Sequence, residues 1–269
     1  MTNLSDLVFL KLGGSLITDK TQPRQALPDV LKRLAGEIAG GLSARPELRL
    51  LLGHGSGSFG HIPARQYRTR QGVFDAEGWR GFAEVWKEAA ALNYLVMDAL
   101  HAAGLPAVAL PASAAVEADN GQAVQWNLEP LQTALQNGLL PVVYGDVVFD
   151  RTLGGTILST EDLFVYLARQ LQPGAILLAG NEPGVWEDFP ACTALVEKIS
   201  SENYPMVAEA LGESAAVDVT GGMRSKVQEM LELTQQQPGL QVRIFSGRQV
   251  GAVKRALAGE AVGTLICSG

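Results

Sequence analysis

A chain of 269 residues with 47% hydrophobic and 18% charged side chains holds enough apolar material for one large α/β domain or two small ones. Its formal charge of −7 argues against a nucleic-acid binder, which carries a basic excess, and no run of about 18 apolar residues offers a membrane span. Cys192 and Cys267 lie far apart and match no metal spacing, and His54, His61 and His101 are too scattered for a zinc site. These features, with a start at residues 1–6 that lacks a basic signal segment, lead us to expect a reduced, cytoplasmic protein without a protein-built metal centre.

Leu7 to Leu10 read as a buried strand that runs into Lys11-Leu12-Gly13-Gly14-Ser15 and on to Lys20. Glycines let a backbone approach a ligand and expose its N–H groups, and two lysines add charge, a combination suited to a polyphosphate. Residues 28–42 form a helix stopped at Gly40-Gly41, and Leu48 to Leu52 a short strand. That strand opens into Gly53-His54-Gly55-Ser56-Gly57-Ser58-Phe59-Gly60-His61, a second anion-cradling loop or, on the plainer reading, a flexible connector. Arg65, Arg68 and Arg70 read as a solvated face.

The segment 78–100 is an amphipathic helix with Trp79, Phe82, Trp86, Ala90 and Met97 on its apolar stripe. The stripe is core on the simpler reading; on the other, Phe82 and Trp86 wall an apolar ligand tail. Further elements are a strand at 105–110, a helix at 125–136 and a strand at 139–144 ending in Gly145-Asp146. A hairpin at 147–158 with bends at Asp150-Arg151 and Gly154-Gly155 precedes a helix over 161–171 capped by Ser159 or Thr160. Past Pro173-Gly174 come a strand at 175–179, a polar loop at 180–186, and a third glycine loop with a lysine, Asp218 to Lys226, leading into a helix at 227–234. A strand at 242–245, a helix at 250–257 and a strand at 264–267 close the chain. Repeated strand–loop–helix units imply a mostly parallel sheet covered on both faces, with the glycine loops at the strand C-termini, where ligands sit.

Taken together, Lys11 through Lys20, the Gly57-Ser58-Phe59-Gly60-His61 block, Gly145-Asp146 and Thr220 to Lys226 resemble the amino acid kinase superfamily, and within it the isopentenyl phosphate kinases. The resemblance implies a three-layer α/β/α sandwich with an open, mostly parallel central sheet, usually a homodimer. It also implies an acceptor-binding lobe over 1–172, a nucleotide-binding lobe over 173–269, and ATP with Mg²⁺ bridging its phosphates. It assigns Lys11 and Lys20 to the transferring phosphoryl group, and Gly13, Gly14, Ser15 and Gly57 to the ATP phosphates. Asn181, Gly222 and Lys226 would hold the nucleotide, and Asp146 would orient the lysines. Gly55, Ser56, Gly60, His61, Gly145 and Thr160 would meet the phosphate acceptor, with His61 donating to its phosphate. Ser56 and Thr160 stand where that family usually has glycine, and Asn181 where it usually has aspartate. A fosfomycin kinase is the alternative acceptor reading, and a non-catalytic nucleotide or phosphate sensor the alternative of another class.

Overall fold

The computed structural model describes residues 7–211 and 222–269. Strand β1 (Leu7–Leu12), buried along its whole length, runs into a one-turn helix α1 (Gly14–Ile17). Helix α2 (Pro28–Ala44) opens on a proline, whose missing N–H is no loss in a first turn. Strand β2 (Arg49–His54) feeds α3 (Gly57–Gln66), and the long α4 (Ala76–Ala102) starts where the Asp75 side chain accepts the Gly78 N–H at 2.7 Å. Next come β3 (Ala107–Ala109), β4 (Val116–Asp119), β5 (Gln122–Trp126), α5 (Glu129–Gln136), β6 (Leu140–Tyr144), β7 (Asp146–Asp150), β8 (Gly154–Leu158) and α6 (Thr160–Leu171). The remainder is β9 (Ala175–Gly180), β10 (Lys198–Ile199), α7 (Tyr204–Leu211), α8 (Met223–Gln236), β11 (Gln241–Ser246), α9 (Ala252–Leu257) and β12 (Thr264–Ile266).

Among the described residues, eight strands make one sheet in the order β10-β12-β11-β9-β1-β2-β6-β3, with β12 antiparallel to β11 and the other pairs parallel. Period-two alternation splits the central strands between two cores. Phe9, Leu51 and Ile176 pack on one face with Leu131, Phe164, Leu167 and Val227, from α5, α6 and α8. Val8, Leu10, Leu50 and Leu52 pack on the other with Leu34, Ile38, Leu92, Val96 and Val253, from α2, α4 and α9. This is the three-layer sandwich, and it explains why the central strands read as continuous apolar runs. The sheet crosses Pro173-Gly174 without a break, because β9 pairs with β1 from Val8–Ala175 to Leu12–Ala179.

A second sheet, β5-β4-β7-β8, differs from the sequence reading, which has only the 147–158 hairpin there. The segment taken as a helix from 125 is helical only from Glu129, and its start belongs to β5. Strands β4 and β5 turn at Asn120-Gly121 with φ of 48° and 78°, the left-handed pair that an Asn-Gly hairpin requires. The 147–158 hairpin bends at 151–153, and Gly154-Gly155 opens β8 rather than forming a bend. One buried carboxylate ties both turns: Asp150 accepts the N–H groups of Asn120, Gly121, Thr152 and Leu153 at 2.7–3.1 Å.

Candidate active site

Parallel neighbours β9, β1, β2 and β6 all end at one edge of the sheet, so the turns that follow them are brought together. The Gly13 N–H donates to the Ala179 carbonyl at 2.8 Å, Gly55 to Leu12 at 3.1 Å and Gly145 to His54 at 3.2 Å. The first two glycine turns touch. A Cβ on Gly14 would lie 2.3 Å from the Gly57 nitrogen, and Gly57 itself has φ of +51° with Thr18 Oγ1 only 2.2 Å from where its Cβ would be. Only glycine fits at either position. Thr18 pins the junction, its hydroxyl donating to the Gly14 carbonyl at 2.7 Å and accepting the Ser58 N–H at 3.0 Å.

Above these turns lies a cleft of about 490 Å³. Its walls include Lys11, Gly13, Gly14, Ser15 and Lys20 from the first turn, Gly55, Ser56, Gly57 and His61 from the second, and Gly145, Thr160, Asn181, Gly222 and Lys226 from further along the chain. Gly60 lines a small side recess that shares Ser56, His61 and Gly145 with the cleft. Of the third glycine loop, residues 218–221 lie outside the described residues. Helix α8 begins at Met223 behind the N-cap Gly222 and directs its electropositive N-terminus toward the cleft.

A carboxylate that sequence reasoning missed organises the cations. Glu161 Oε1 accepts Lys11 Nζ at 2.6 Å and lies 3.4 Å from Lys226 Nζ. Burial pushes the Glu161 carboxyl up, but the two ammonium groups outweigh it and hold its pKa well below the usual carboxylate range. The missing signal is spatial, since Lys11 and Glu161 are 150 positions apart. Locally Glu161 reads as a first-turn acid in a capping box, in which Ser159 Oγ accepts the Asp162 N–H at 3.1 Å and Asp162 accepts the Ser159 N–H at 2.6 Å. Asp162 satisfies the box, which leaves Glu161 to turn inward.

Asp146, expected to orient the lysines, is not among the residues that line the cleft. The chain turns at Gly145, and the Asp146 carboxyl points toward the 112–114 turn, accepting the N–H of Ser113 at 3.3 Å and of Val147 at 2.8 Å. Burial raises its pKa to about 6.

On the acceptor side, the recess beside His61 is lined by Ala64, Val85, Ala89 and Ile157. Phe82 and Trp86 line neither space, a correction to the alternative reading of that stripe. Val85 and Ala89 share a face of α4 at the four-residue spacing of a helix, which turns Trp86 outward to 47% exposure. The Phe82 ring packs against Gly155, Trp79 and Phe149 instead. Thr160 is tied into the scaffold, its hydroxyl donating to the His54 carbonyl at 2.6 Å and its methyl filling the space that Gly53 leaves open. Arg70 is not a solvated residue: it pairs with Asp162 at 3.1 Å and borders the recess. His54 is a scaffold residue, buried, bonded to Asn93 at 3.1 Å and stacked on Tyr144, and burial lowers its pKa.

On the other side, Asn181 spans two elements. Its amide nitrogen donates to the Ser15 carbonyl at 3.1 Å, and its oxygen accepts Arg248 Nε at 3.0 Å. An aspartate there has no donor for Ser15. The cleft beyond is apolar, walled by Leu178, Trp186, Phe189, Leu211, Met223 and Ile244. No cluster of three or more His, Cys, Asp or Glu among the described residues has metal-holding geometry, and no helix among them is long and apolar enough to cross a membrane.

A sequence model of the amino acid kinase family matches residues 6–246. The isopentenyl phosphate kinase of Methanothermobacter thermautotrophicus is 36% identical over 266 residues, 95% of this chain and 97% of that protein. Its counterpart in Haloferax volcanii is 36% identical, covering 97% of this chain and 98% of that one. Among solved structures, an isopentenyl phosphate kinase superposes with a TM-score of 0.81 at 32% identity, covering 97% of this chain and 99% of that one. A UMP kinase from Bacillus anthracis, 18% identical with a TM-score of 0.67, shares the fold.

Proposed function

The chain belongs to the amino acid kinase family, among the isopentenyl phosphate kinases, and we propose that it transfers the γ-phosphoryl group of ATP to isopentenyl phosphate, forming isopentenyl diphosphate and ADP. The observation that carries this reading is the convergence of Lys11, Lys20 and Lys226 with two touching glycine turns on one cleft, two of those lysines sharing Glu161. Phosphoryl transfer passes through a loose transition state, so positioning and positive charge supply most of the catalysis. The acceptor is itself a phosphate monoester, mostly dianionic at neutral pH because its second pKa is about 6, so its attacking oxygen needs no general base. The buried position of Asp146, away from the cleft, suits that economy.

ATP lies with its phosphates over Gly13, Gly14, Ser15 and Gly57 and its base in the apolar end beside Trp186 and Met223. Gly222 and Lys226 hold it from α8. The acceptor phosphate takes hydrogen bonds from His61 and the Ser56 N–H, with Gly55 and Gly60 beside it, and its short tail points toward the recess at Val85 and Ala89. Lys20 meets the charge that develops on the moving phosphoryl group. Residues 1–172 thus hold the acceptor and the turns under the ATP phosphates, and 173–269 hold the rest of the nucleotide. Mg²⁺ bound with the nucleotide would help neutralise the phosphate charge alongside Lys11, Lys20 and Lys226. The protein acts in the cytoplasm and as a homodimer; the exposed aromatic side chains Trp79, Trp86 and Tyr94 along α4 support the dimer.

ADP release with ATP, Mg²⁺ and isopentenyl phosphate, dimethylallyl phosphate or fosfomycin in parallel tests the acceptor. The highest kcat/KM is expected on isopentenyl phosphate. Preference for fosfomycin would overturn the acceptor assignment, and ATP binding without turnover on any acceptor would favour a sensor.

A further inference from the structure

We propose that the Arg24–Glu88 ion pair is a latch that positions Lys20. The inference rests on the kinase reading for what Lys20 does, and on geometry for how it is held. Lys20 is exposed and sits in a strap, residues 19–25, between two bridged positions, Thr18 and Ala26. The near end of the strap is internally tied: Asp19 accepts the Thr21 N–H at 2.8 Å and the Thr21 hydroxyl at 2.7 Å, and the Asp19 N–H donates to the Gln25 carbonyl at 2.8 Å. Its far end leans on α3 through two long bonds, Arg24 N–H to the Ser58 carbonyl and Gln25 N–H to Ser58 Oγ, both at 3.3 Å.

The side-chain contact with the rest of the acceptor wall is an ion pair, Arg24 Nε to Glu88 Oε2 at 3.0 Å, without hydrogen-bond alignment. Exposed ion pairs are worth little, but here the carboxylate is only 14% exposed, so losing the guanidinium leaves a largely desolvated charge without compensation. Arg24 also holds φ of +54°, a left-handed conformation that a non-glycine residue keeps only when its surroundings enforce it. Glu88 precedes Ala89 and lies one helical turn from Val85, the two α4 residues that line the recess. The latch therefore fixes the lysine-bearing strap to the helix that receives the acceptor tail. Arg24 and Glu88 are positioning residues, acting through Lys20.

The test compares Arg24→Gln, Glu88→Gln and the reversed pair Arg24→Glu/Glu88→Arg, in the parent chain and in Lys20→Ala. Each single change should lower kcat about tenfold with KM for ATP within about twofold, and the reversed pair should regain most of the loss. In Lys20→Ala, Arg24→Gln should change kcat by less than about twofold, because the residue it positions is gone. A full loss in that background, or no loss in the parent, would overturn the latch. Amide hydrogen exchange gives a readout independent of turnover. Residues 20–25 should exchange faster in Glu88→Gln, and unchanged protection would overturn the latch even in a chain with no kinase activity, an outcome that would separately remove the kinase reading.

Discussion

Glu161 faces two ammonium groups because its neighbours Ser159 and Asp162 close the cap of α6 without it. A carboxylate shared by two lysines offsets their mutual repulsion and gathers them at one place, the arrangement that a transferring phosphoryl group needs. Glu161→Gln keeps the shape and removes the charge. Steady-state kinetics should show kcat falling about 100-fold with a smaller rise in KM for ATP, and an unchanged kcat would mean that the lysines are fixed by something else. One turn beyond Lys226, Glu229 carries a stability signature. Burial, then the nearby Asp162 and Glu161, raises its pKa to about 7, against about 4.3 in an unfolded chain. Between those values the folded chain holds a proton that the unfolded chain has released, so this group's contribution falls as pH rises through the window. Glu229→Gln should raise unfolding free energy by about 1–2 kcal/mol at pH 8 and leave it nearly unchanged at pH 4, as read by denaturant titration. Little of this was legible in the sequence. The lysines and glycines announce themselves by type, whereas Glu161 gains its role from a contact across the fold, and Asp146, beside a glycine and chemically apt, bonds to Ser113 and Val147 instead.

Helix α4 separates two meanings of one apolar stripe. Its large side chains draw the eye to Phe82 and Trp86, yet the residues that border the recess are Val85 and Ala89, whose short side chains leave a space of about 30 Å³ there. Ala89→Leu should fill that space and raise KM for isopentenyl phosphate about tenfold while KM for ATP holds, a split that initial-rate measurements resolve. Equal changes in both would point to distortion of the helix. The elements themselves were readable where local chemistry decides them: β1 as a doubly buried run, α2 by its apolar spacing, α6 by its cap, though α2 runs past the expected Gly40-Gly41 stop to Ala44. The hairpin of β4 and β5 carries an Asn120-Gly121 turn signal, but its strands are short and polar on one face, so the alternation alone is weak. The α3 start was hidden because Gly57, Ser58 and Gly60 are poor helix formers held in place by contacts with the first turn.

At the scale of the molecule, a net charge of −7 surrounds a cleft whose lysines come from β1, the strap after α1 and α8. Binding two anions in a negatively charged protein requires that positive charge be local, and the parallel sheet achieves this by ending β9, β1, β2 and β6 at one edge. The strand–helix repetition made that edge foreseeable from sequence. The pairing of β9 with β1, which joins the two halves in one sheet, was not, because strand order is a long-range property. Exposed Trp79, Trp86 and Tyr94 lead to the expectation of a two-chain mass in light scattering, and a one-chain mass at micromolar concentration would remove the homodimer.

The central claim, direct transfer between two anions gripped in one cleft, is tested by the ³¹P spectrum of ATP, Mg²⁺ and isopentenyl phosphate incubated with the chain. The account predicts that the monoester signal gives way to the paired resonances of a diphosphate ester as ADP accumulates in equal amount, and that Lys20→Ala slows both together. ADP appearing with inorganic phosphate while the monoester persists would contradict it.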